Sequence, residues 1–381
     1  MRSTLKPVNP IGTSYQSPKW HSFLNASNIT VAQACNATAV TPLCLRTLYG
    51  TYDYTPKVPG INKVGLTDYL GESNNRSDIY LFLQMFRPEA ASEAYTFTFD
   101  IIANGSAQQT PDNATQLGAG TDLEGNVDAE TLSPSTTHPP HRPDLPQTIS
   151  TSYGDDEQTV PYAYATLACQ LFAQLGARGI TLLFASGDSG LGPTGVCLSN
   201  DGKNTTMFLP SFHASCPYVT TVGATKNFAP EVAAFDPANN FASGGGFSNY
   251  FPRPAYQDPY VPDYIASLGR VSGFDDVGRG SDGAGWDSAS TRTAAGVVSL
   301  VNDALLAAGR APLGWLNPWL YGMGKKGFTD VVEGSAIGCG GEGFPAEAGW
   351  DAVTGWGTPY FPKLVRLVLE GWGGRGMGCR S

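Results

Sequence analysis

The chain has 381 residues, of which 41% are hydrophobic and only 15% charged, and its 33 acids against 23 Lys and Arg give a net charge of −10. Such a composition supports a sizeable core and excludes wholesale disorder, while the acidic balance argues against nucleic acid and anionic membranes as partners. With Gly 46 and Pro 28 the protein is rich in loops, no apolar run is long enough to span a membrane, and protonation of its carboxylates lowers the net negative charge in acid.

Residues 1–34 are polar and rich in Pro, Ser and Asn, like a linker, and Met1–Pro7 carries no apolar stretch of the kind a signal peptide needs. A globular pattern begins at Cys35, and Cys35 and Cys44 are close enough to close a small disulfide loop. Tyr95–Ile102 alternates and predicts a strand, as does Gln147–Tyr153. Val160–Arg178 has helical periodicity through Ala163, Leu167, Leu171 and Leu175. Ile180–Ser186 is an apolar run suited to a strand covered on both faces, and Tyr218–Gly223 predicts another strand. Ser290–Gly309 predicts a helix with Ala294, Val297, Val298, Val301 and Leu305 on its apolar face and Gly309 at its end. Strands alternating with helices imply an α/β fold with a mostly parallel sheet covered by helices.

Cysteine usage adds a compartment. There are seven Cys and no CxxC pair, which leaves no zinc signature. Cys169 lies in the apolar helix and is expected as a buried free thiol, Cys197 can pair with Cys339 or with Cys216, and Cys379 has no evident partner. Sequons at Asn25, Asn28, Asn36, Asn75, Asn104, Asn113 and Asn204 fit a secreted glycoprotein.

Four features could carry chemistry. Ser288 opens the long apolar helix, where it can be an N-cap or a nucleophile aided by the helix dipole. Glu124 and Asp128 are spaced i, i+4, so a helix puts both carboxylates on one face, where like charges push one proton affinity upward; the bland alternative is a solvated acidic face. Asp188, in Phe184-Ala-Ser-Gly-Asp-Ser-Gly, follows an apolar strand, at the carboxyl end where open α/β sheets collect their functional groups; protonated, it can donate to an oxyanion, and otherwise it is a turn Asp. Asp330 and Asp351 sit in Gly-rich loops suited to Ca²⁺ or to simple Asx turns. Gly187-Asp188-Ser189-Gly190 also matches the nucleophile motif of chymotrypsin-like proteases, but the four His (His21, His138, His141, His213) lack the context of a triad base. A serine protease without such a His needs a carboxylate base, which works best in acid.

Taken in order, Glu124-x-x-x-Asp128, STSYGDDEQTVP at 150–161, FASGDSG at 184–190, LPSFHASCPYVTTVGAT at 209–225, SGGGFSNYFPRPAYQ at 243–257, SAST at 288–291, LGWLNPWLY at 313–321 and GWDAVTGWGTP at 349–359 resemble the sedolisin family of serine-carboxyl peptidases, and most of all its fungal tripeptidyl peptidases. The resemblance implies a subtilisin-like α/β fold over residues 35–369, with Ser288 as nucleophile, Glu124 as its base, Asp128 orienting Glu124 and Asp188 as the oxyanion acid. It implies one Ca²⁺ held by the side chains of Asp330 and Asp351 and the carbonyls of Val331, Glu347 and Gly349, and a substrate cleft along Ser243, Gly244, Gly245 and Gly246. It also implies a secreted, monomeric enzyme that releases tripeptides from the free N-termini of peptides in acid, made as a precursor with a signal peptide and a prosegment, of which residues 1–34 are the remnant.

The chain departs from the family at three places. The serine motif usually reads Gly-Thr-Ser-Ala-Ser-x-Pro, but here Trp286-Asp287 precedes Ser288 and Arg292 stands in place of Pro. Thr148 is 20 positions from Asp128 and Ser288 is 31 from Gln257, too few for all the sheet segments of the family, so a sheet lacking one or two segments is expected. The tail 370–381 is atypical. These departures keep a second function in view: a pseudopeptidase that binds peptide without cleaving it.

Overall fold

The computed structural model describes residues 29–58, 60–132, 145–192, 197–268 and 288–370, with Ser288 through its backbone alone. His21, His138, His141, Trp286, Asp287, Cys379, the sequons at Asn25 and Asn28, most of the N-terminal linker and nearly all of the tail lie outside the described residues.

In chain order the framework is β1 (Val64–Thr67), α1 (Arg76–Phe86), α2 (Leu123–Leu132), β2 (Thr148–Thr151), α3 (Tyr162–Ala177), β3 (Thr181–Ala185), β4 (Thr220–Val222), α4 (Ser288–Ala307) and α5 (Phe361–Glu370). The four strands form one parallel sheet in sequence order, with Thr148 opposite both Val64 and Thr181, and Leu183 opposite Thr220. Every residue of β3 is buried, as its unbroken apolar run predicts for a central parallel strand. Successive side chains of β3 serve different cores. Leu183 packs with Ala295, Val297 and Val301 of α4 and Leu364 and Val368 of α5, whereas Leu182 and Phe184 pack with Ala165 and Cys169 of α3.

Among the described residues the sheet has these four strands, and it is covered by helices on both faces. Long-range polar ties hold its periphery. Asp303, buried on α4, accepts hydrogen bonds from Tyr54 Oη at 2.6 Å and from the backbone N–H groups of Lys57 and Val58 at 2.8 and 3.0 Å, which pins the segment entering β1. Glu157, also buried, accepts from Asn249 N at 2.7 Å and Ser248 Oγ at 2.5 Å and ties the end of β2 to the loop after the glycine run.

Several expectations are corrected. Tyr95–Ile102 is no strand: Pro88–Tyr95 is a 3-10 helix and the rest is irregular, with Ile101 and Ile102 exposed, so alternation there reflects no sheet partner. The α3 helix exists, but Leu167 and Leu171 are exposed while Ala165, Cys169 and Gly176 face inward. The physical reason is covalent and steric. Cys169 is no free thiol but is bonded to Cys216, and a Cβ on Gly176 would come within 3.0 Å of the Trp315 side chain, so the small residues must turn to the core. Cys197 pairs with Cys339, and the Cys35–Cys44 bridge forms. Among the described sequons Asn75 is unsuited to glycosylation, because it is 4% exposed and caps α1 by accepting from Ser77 N.

Candidate active site

The α2 and α4 helices carry the acid pair and the serine, and both run opposite to the strands. Thr291 Oγ1 donates to the carbonyl of Val222, the last residue of β4, whereas Asn302 Nδ2 donates to Thr148 Oγ1, at the first residue of β2. The α4 helix therefore starts at the carboxyl edge of the sheet and ends at its amino edge. On α2, Glu124 acts electrostatically on Tyr153, just past the end of β2, while Leu132 joins the core beneath. The two helices are thus parallel, with their first turns at the edge where α/β sheets hold their functional groups.

One contact sets their register. Asp128 Oδ2 and Arg292 Nη2 form an ion pair in which both side chains are 0% exposed, and Arg292 Nη1 also donates to Ser150 Oγ at 3.2 Å. Glu124 lies one turn before Asp128 on α2 and Ser288 one turn before Arg292 on α4, so the ion pair brings their helical turns side by side. The start of α2 is seated on the loop after β1: Ser73 N donates to Asp122 Oδ1 at 2.8 Å, Asn75 N to Asn126 Oδ1 at 2.9 Å, and a Cβ on Gly125 would meet the Ser73 carbonyl at 2.8 Å.

Two residues that sequence reading missed complete this acidic corner. Asp68 follows the last residue of β1 and Tyr153 lies just past β2. Burial pushes the Asp68 carboxyl up to about 6, with Glu72 adding to the rise and Arg292 opposing it. Burial raises the Tyr153 hydroxyl too, followed by the charges of Asp68, Glu124 and Glu72. Burial in turn pulls the Arg292 guanidinium down to about 10 against the opposing effect of Asp68 and Glu124. The signal for Asp68 would have been the short strand Val64–Thr67, which the sequence reading did not assign.

Asp188 is exposed in the turn after β3, and Ala242 N donates to its carbonyl at 2.9 Å. The run Ser243–Gly246 lies against the same turn, with Gly244 N donating to the Gly187 carbonyl at 2.8 Å. A Cβ on Gly244 would sit 2.2 Å from the Ser186 carbonyl, so close backbone packing alone demands glycine there. Ser189 of the decoy motif gains no base from His213, whose ring is packed among Phe172, Phe184 and Phe212 with centroids 4.4 to 5.7 Å away.

The five loop residues expected to bind a cation converge. Gly349 N donates to Asp330 Oδ2 at 2.8 Å, and Thr354 Oγ1 donates to Asp351 Oδ2 at 2.8 Å and to the Val331 carbonyl at 3.2 Å. Asp351, 0% exposed, also accepts from Val353 N, Thr354 N and, at 3.2 Å, Glu347 N. Among the described residues no group of three or more His, Cys, Asp or Glu is gathered as a metal site.

No family model matches the chain. The probable tripeptidyl-peptidase SED2 of Arthroderma benhamiae is 35% identical over 434 residues, covering 95% of this chain and 69% of the relative. The tripeptidyl-peptidase sed4 of Aspergillus fumigatus is 37% identical over 413 residues, covering 88% of this chain and 67% of the relative. An alignment of 434 residues against a chain of 381 leaves at least 53 aligned positions of SED2 without a counterpart here. The solved structure of Pseudomonas sedolisin, a serine-carboxyl proteinase, superposes with a TM-score of 0.59 at 20% identity over 87% of this chain and 98% of that one, a likeness of fold. By its similarity to the fungal tripeptidyl-peptidases over nearly its whole length, and by its parallel helix-covered sheet, the chain belongs to the sedolisin family of serine-carboxyl peptidases.

Proposed function

We propose that the protein is a secreted acid peptidase that releases tripeptides from the free N-termini of peptides, with Ser288 as nucleophile, Glu124 as its general base and Asp188 as the acid that meets the oxyanion. The observation that carries this reading is the parallel run of α2 and α4, whose first turns hold Glu124 and Ser288 at the carboxyl edge of the sheet, registered by the Asp128–Arg292 pair. Glu124 takes the hydroxyl proton of Ser288 as the oxygen attacks the scissile carbonyl. The tetrahedral oxyanion accepts a hydrogen bond from the Asp188 carboxyl, and a carboxylate base in place of a His suits the chemistry to acid. Collapse expels the new amine, which leaves with the proton held by Glu124, and water repeats the sequence to free the tripeptide acid. Three disulfides and the exposed sequons support an oxidising, extracellular setting.

The test is turnover of a tripeptide-linked reporter by the intact chain at about pH 4, where a carboxylate base works. Ser288→Ala and Glu124→Gln are each expected to lower kcat by at least about 10³-fold. Activity that peaks at neutral pH and survives both changes sinks the reading. One observation favours a second reading, a peptide-binding pseudopeptidase: Arg292 engages Asp128, the residue expected to orient Glu124. Peptide binding without turnover would select it.

The proposal includes one Ca²⁺ held by Asp330, Asp351 and the carbonyls of Val331, Glu347 and Gly349. Two carboxylates with carbonyl oxygens are the hard donor set that Ca²⁺ prefers, and the long Glu347 N contact to Asp351 is the one a cation replaces most easily. When bound, the ion cross-links the two loops electrostatically. A site kept at 100 times its Kd stabilises by about 2.7 kcal/mol, so chelation with EGTA is expected to lower Tm by several degrees, reversibly on adding Ca²⁺. An unchanged Tm removes calcium from the account.

A further inference from the structure

We infer that Leu70, at the tip of the turn after β1, is a specificity-determining residue that takes an apolar side chain of the bound peptide beside the helical turn of Glu124. The inference deepens the proposed peptidase reading and rests on it for the catalytic meaning of that contact. Leu70 breaks two rules at once. It is 94% exposed, and its φ of +59° lies in the left-handed region, where a Cβ crowds the carbonyl and a leucine has no polar atom to offset the cost. The turn accounts for the backbone but not for the residue. Glu72 N donates to the Tyr69 carbonyl at 3.0 Å, and Gly71, the second central residue, has a φ of +88°. Two positive φ values in succession mark a type I′ turn, which favours Asn, Asp or Gly. Gly71 obeys that preference and Leu70 does not. A lone exposed leucine is ordinary. One held out to solvent on a disfavoured backbone points to a contact made with something outside the folded chain.

The placement of the turn identifies the partner. Glu72 Oε2 accepts from Gly125 N at 3.2 Å, and Gly125 follows Glu124 in the first turn of α2. Ser73 N donates to Asp122 Oδ1 at 2.8 Å and Asn75 N to Asn126 Oδ1 at 2.9 Å, so the segment after Leu70 is bonded to α2 on both sides of Glu124. On the other side of the turn tip, the Tyr69 ring stands edge-on to Tyr153 with centroids 5.1 Å apart, which ties the turn to the exit of β2. Leu70 thus rises from a base anchored at both ends. Tyr69 and Leu123, its chain neighbour and that of Glu124, are exposed as well, so apolar surface borders the general base from the turn and from the helix. The run Ser243–Gly246, expected to line the substrate cleft, lies against the turn after β3. Between β1 and β3 are two strand spacings, about 10 Å, which an extended peptide over the carboxyl edge covers with about three residues. Leucine offers neither charge nor hydrogen bond, so the peptide group it selects is aliphatic or aromatic.

The experiment measures binding of alanine hexapeptides with free N-termini to the intact Ser288→Ala chain at about pH 4. One peptide is all alanine, and the others carry a single Phe walked through the sequence. One Phe position is expected to bind about 10-fold tighter than the all-alanine peptide. Leu70→Asn is expected to abolish that advantage and to leave binding of the all-alanine peptide unchanged. Asn tolerates the left-handed backbone, so this variant is expected to keep the parent Tm or exceed it, which separates a lost contact from a lost fold. Leu70→Gly, which keeps the turn and removes the side chain, is expected to behave in the same way. Leu81→Asn, at an exposed leucine of α1, is expected to retain the Phe advantage. A Phe advantage at no position, one that survives in Leu70→Asn and Leu70→Gly, or one lost equally in Leu81→Asn overturns the inference. Turnover is read separately on the chain with Ser288 intact. No turnover with a Leu70-dependent Phe preference refutes the peptidase reading and leaves the contact standing, and turnover without that preference does the reverse.

Discussion

Arg292→Met is expected to destabilise the fold by about 3–5 kcal/mol, the cost of leaving one member of a buried ion pair without its partner. Asp128 and Arg292 are both 0% exposed, so neither charge can turn to water when the other is removed. The loss has a structural reach as well. The guanidinium also donates to Ser150 Oγ on β2, so its removal unties α4 from both α2 and the sheet. The paired substitution Asp128→Leu/Arg292→Met behaves differently on physical grounds. It removes both desolvation penalties and fills the space with apolar atoms, so its stability is expected within about 1 kcal/mol of wild type, or above it. Urea unfolding of the two single variants and the double variant gives the coupling energy directly. A single Arg292→Met chain as stable as wild type would mean that the pair contributes nothing to holding these helices.

The second large effect is covalent. Cys197 and Cys339 are 142 positions apart and join the loop after β3 to the hairpin Ser335–Gly338 and Gly341–Pro345, beside a backbone bond from Cys339 N to the Gly192 carbonyl at 2.8 Å. Closing a loop of that length in the unfolded chain is worth about 5 kcal/mol in the chain-entropy model, against about 2.6 kcal/mol for the 9-position Cys35–Cys44 loop. Cys197→Ala/Cys339→Ala is therefore expected to lower the denaturation midpoint about twice as far as Cys35→Ala/Cys44→Ala. Unfolding without reductant checks the ranking, and an equal or reversed order would show that native strain, not loop entropy, governs these bridges.

Much of the site was legible in the chain itself. Glu124 and Asp128 fall on one helix because their i, i+4 spacing is a local property, and Asp188 follows β3 because an unbroken apolar run followed by Gly-Asp-Ser-Gly marks where a buried strand surfaces. Asp68 was not legible because a four-residue strand of half-buried residues, Val64–Thr67, has no distinctive period. Arg292 stood out only as a departure from a motif, since nothing in one sequence tells which distant carboxylate a buried cation will find.

The sequence alone determined the alternation of strands and helices, the Cys35–Cys44 loop and the family, because each is written in short-range periodicity, spacing or contiguous motif. Tertiary structure alone decided that Cys169 bonds Cys216, that α3 turns its small residues inward, and that Asp128 belongs to Arg292. Those outcomes depend on which elements the sheet brings together across tens to hundreds of residues, and low interior polarity makes a buried charge or thiol take whatever partner that packing supplies.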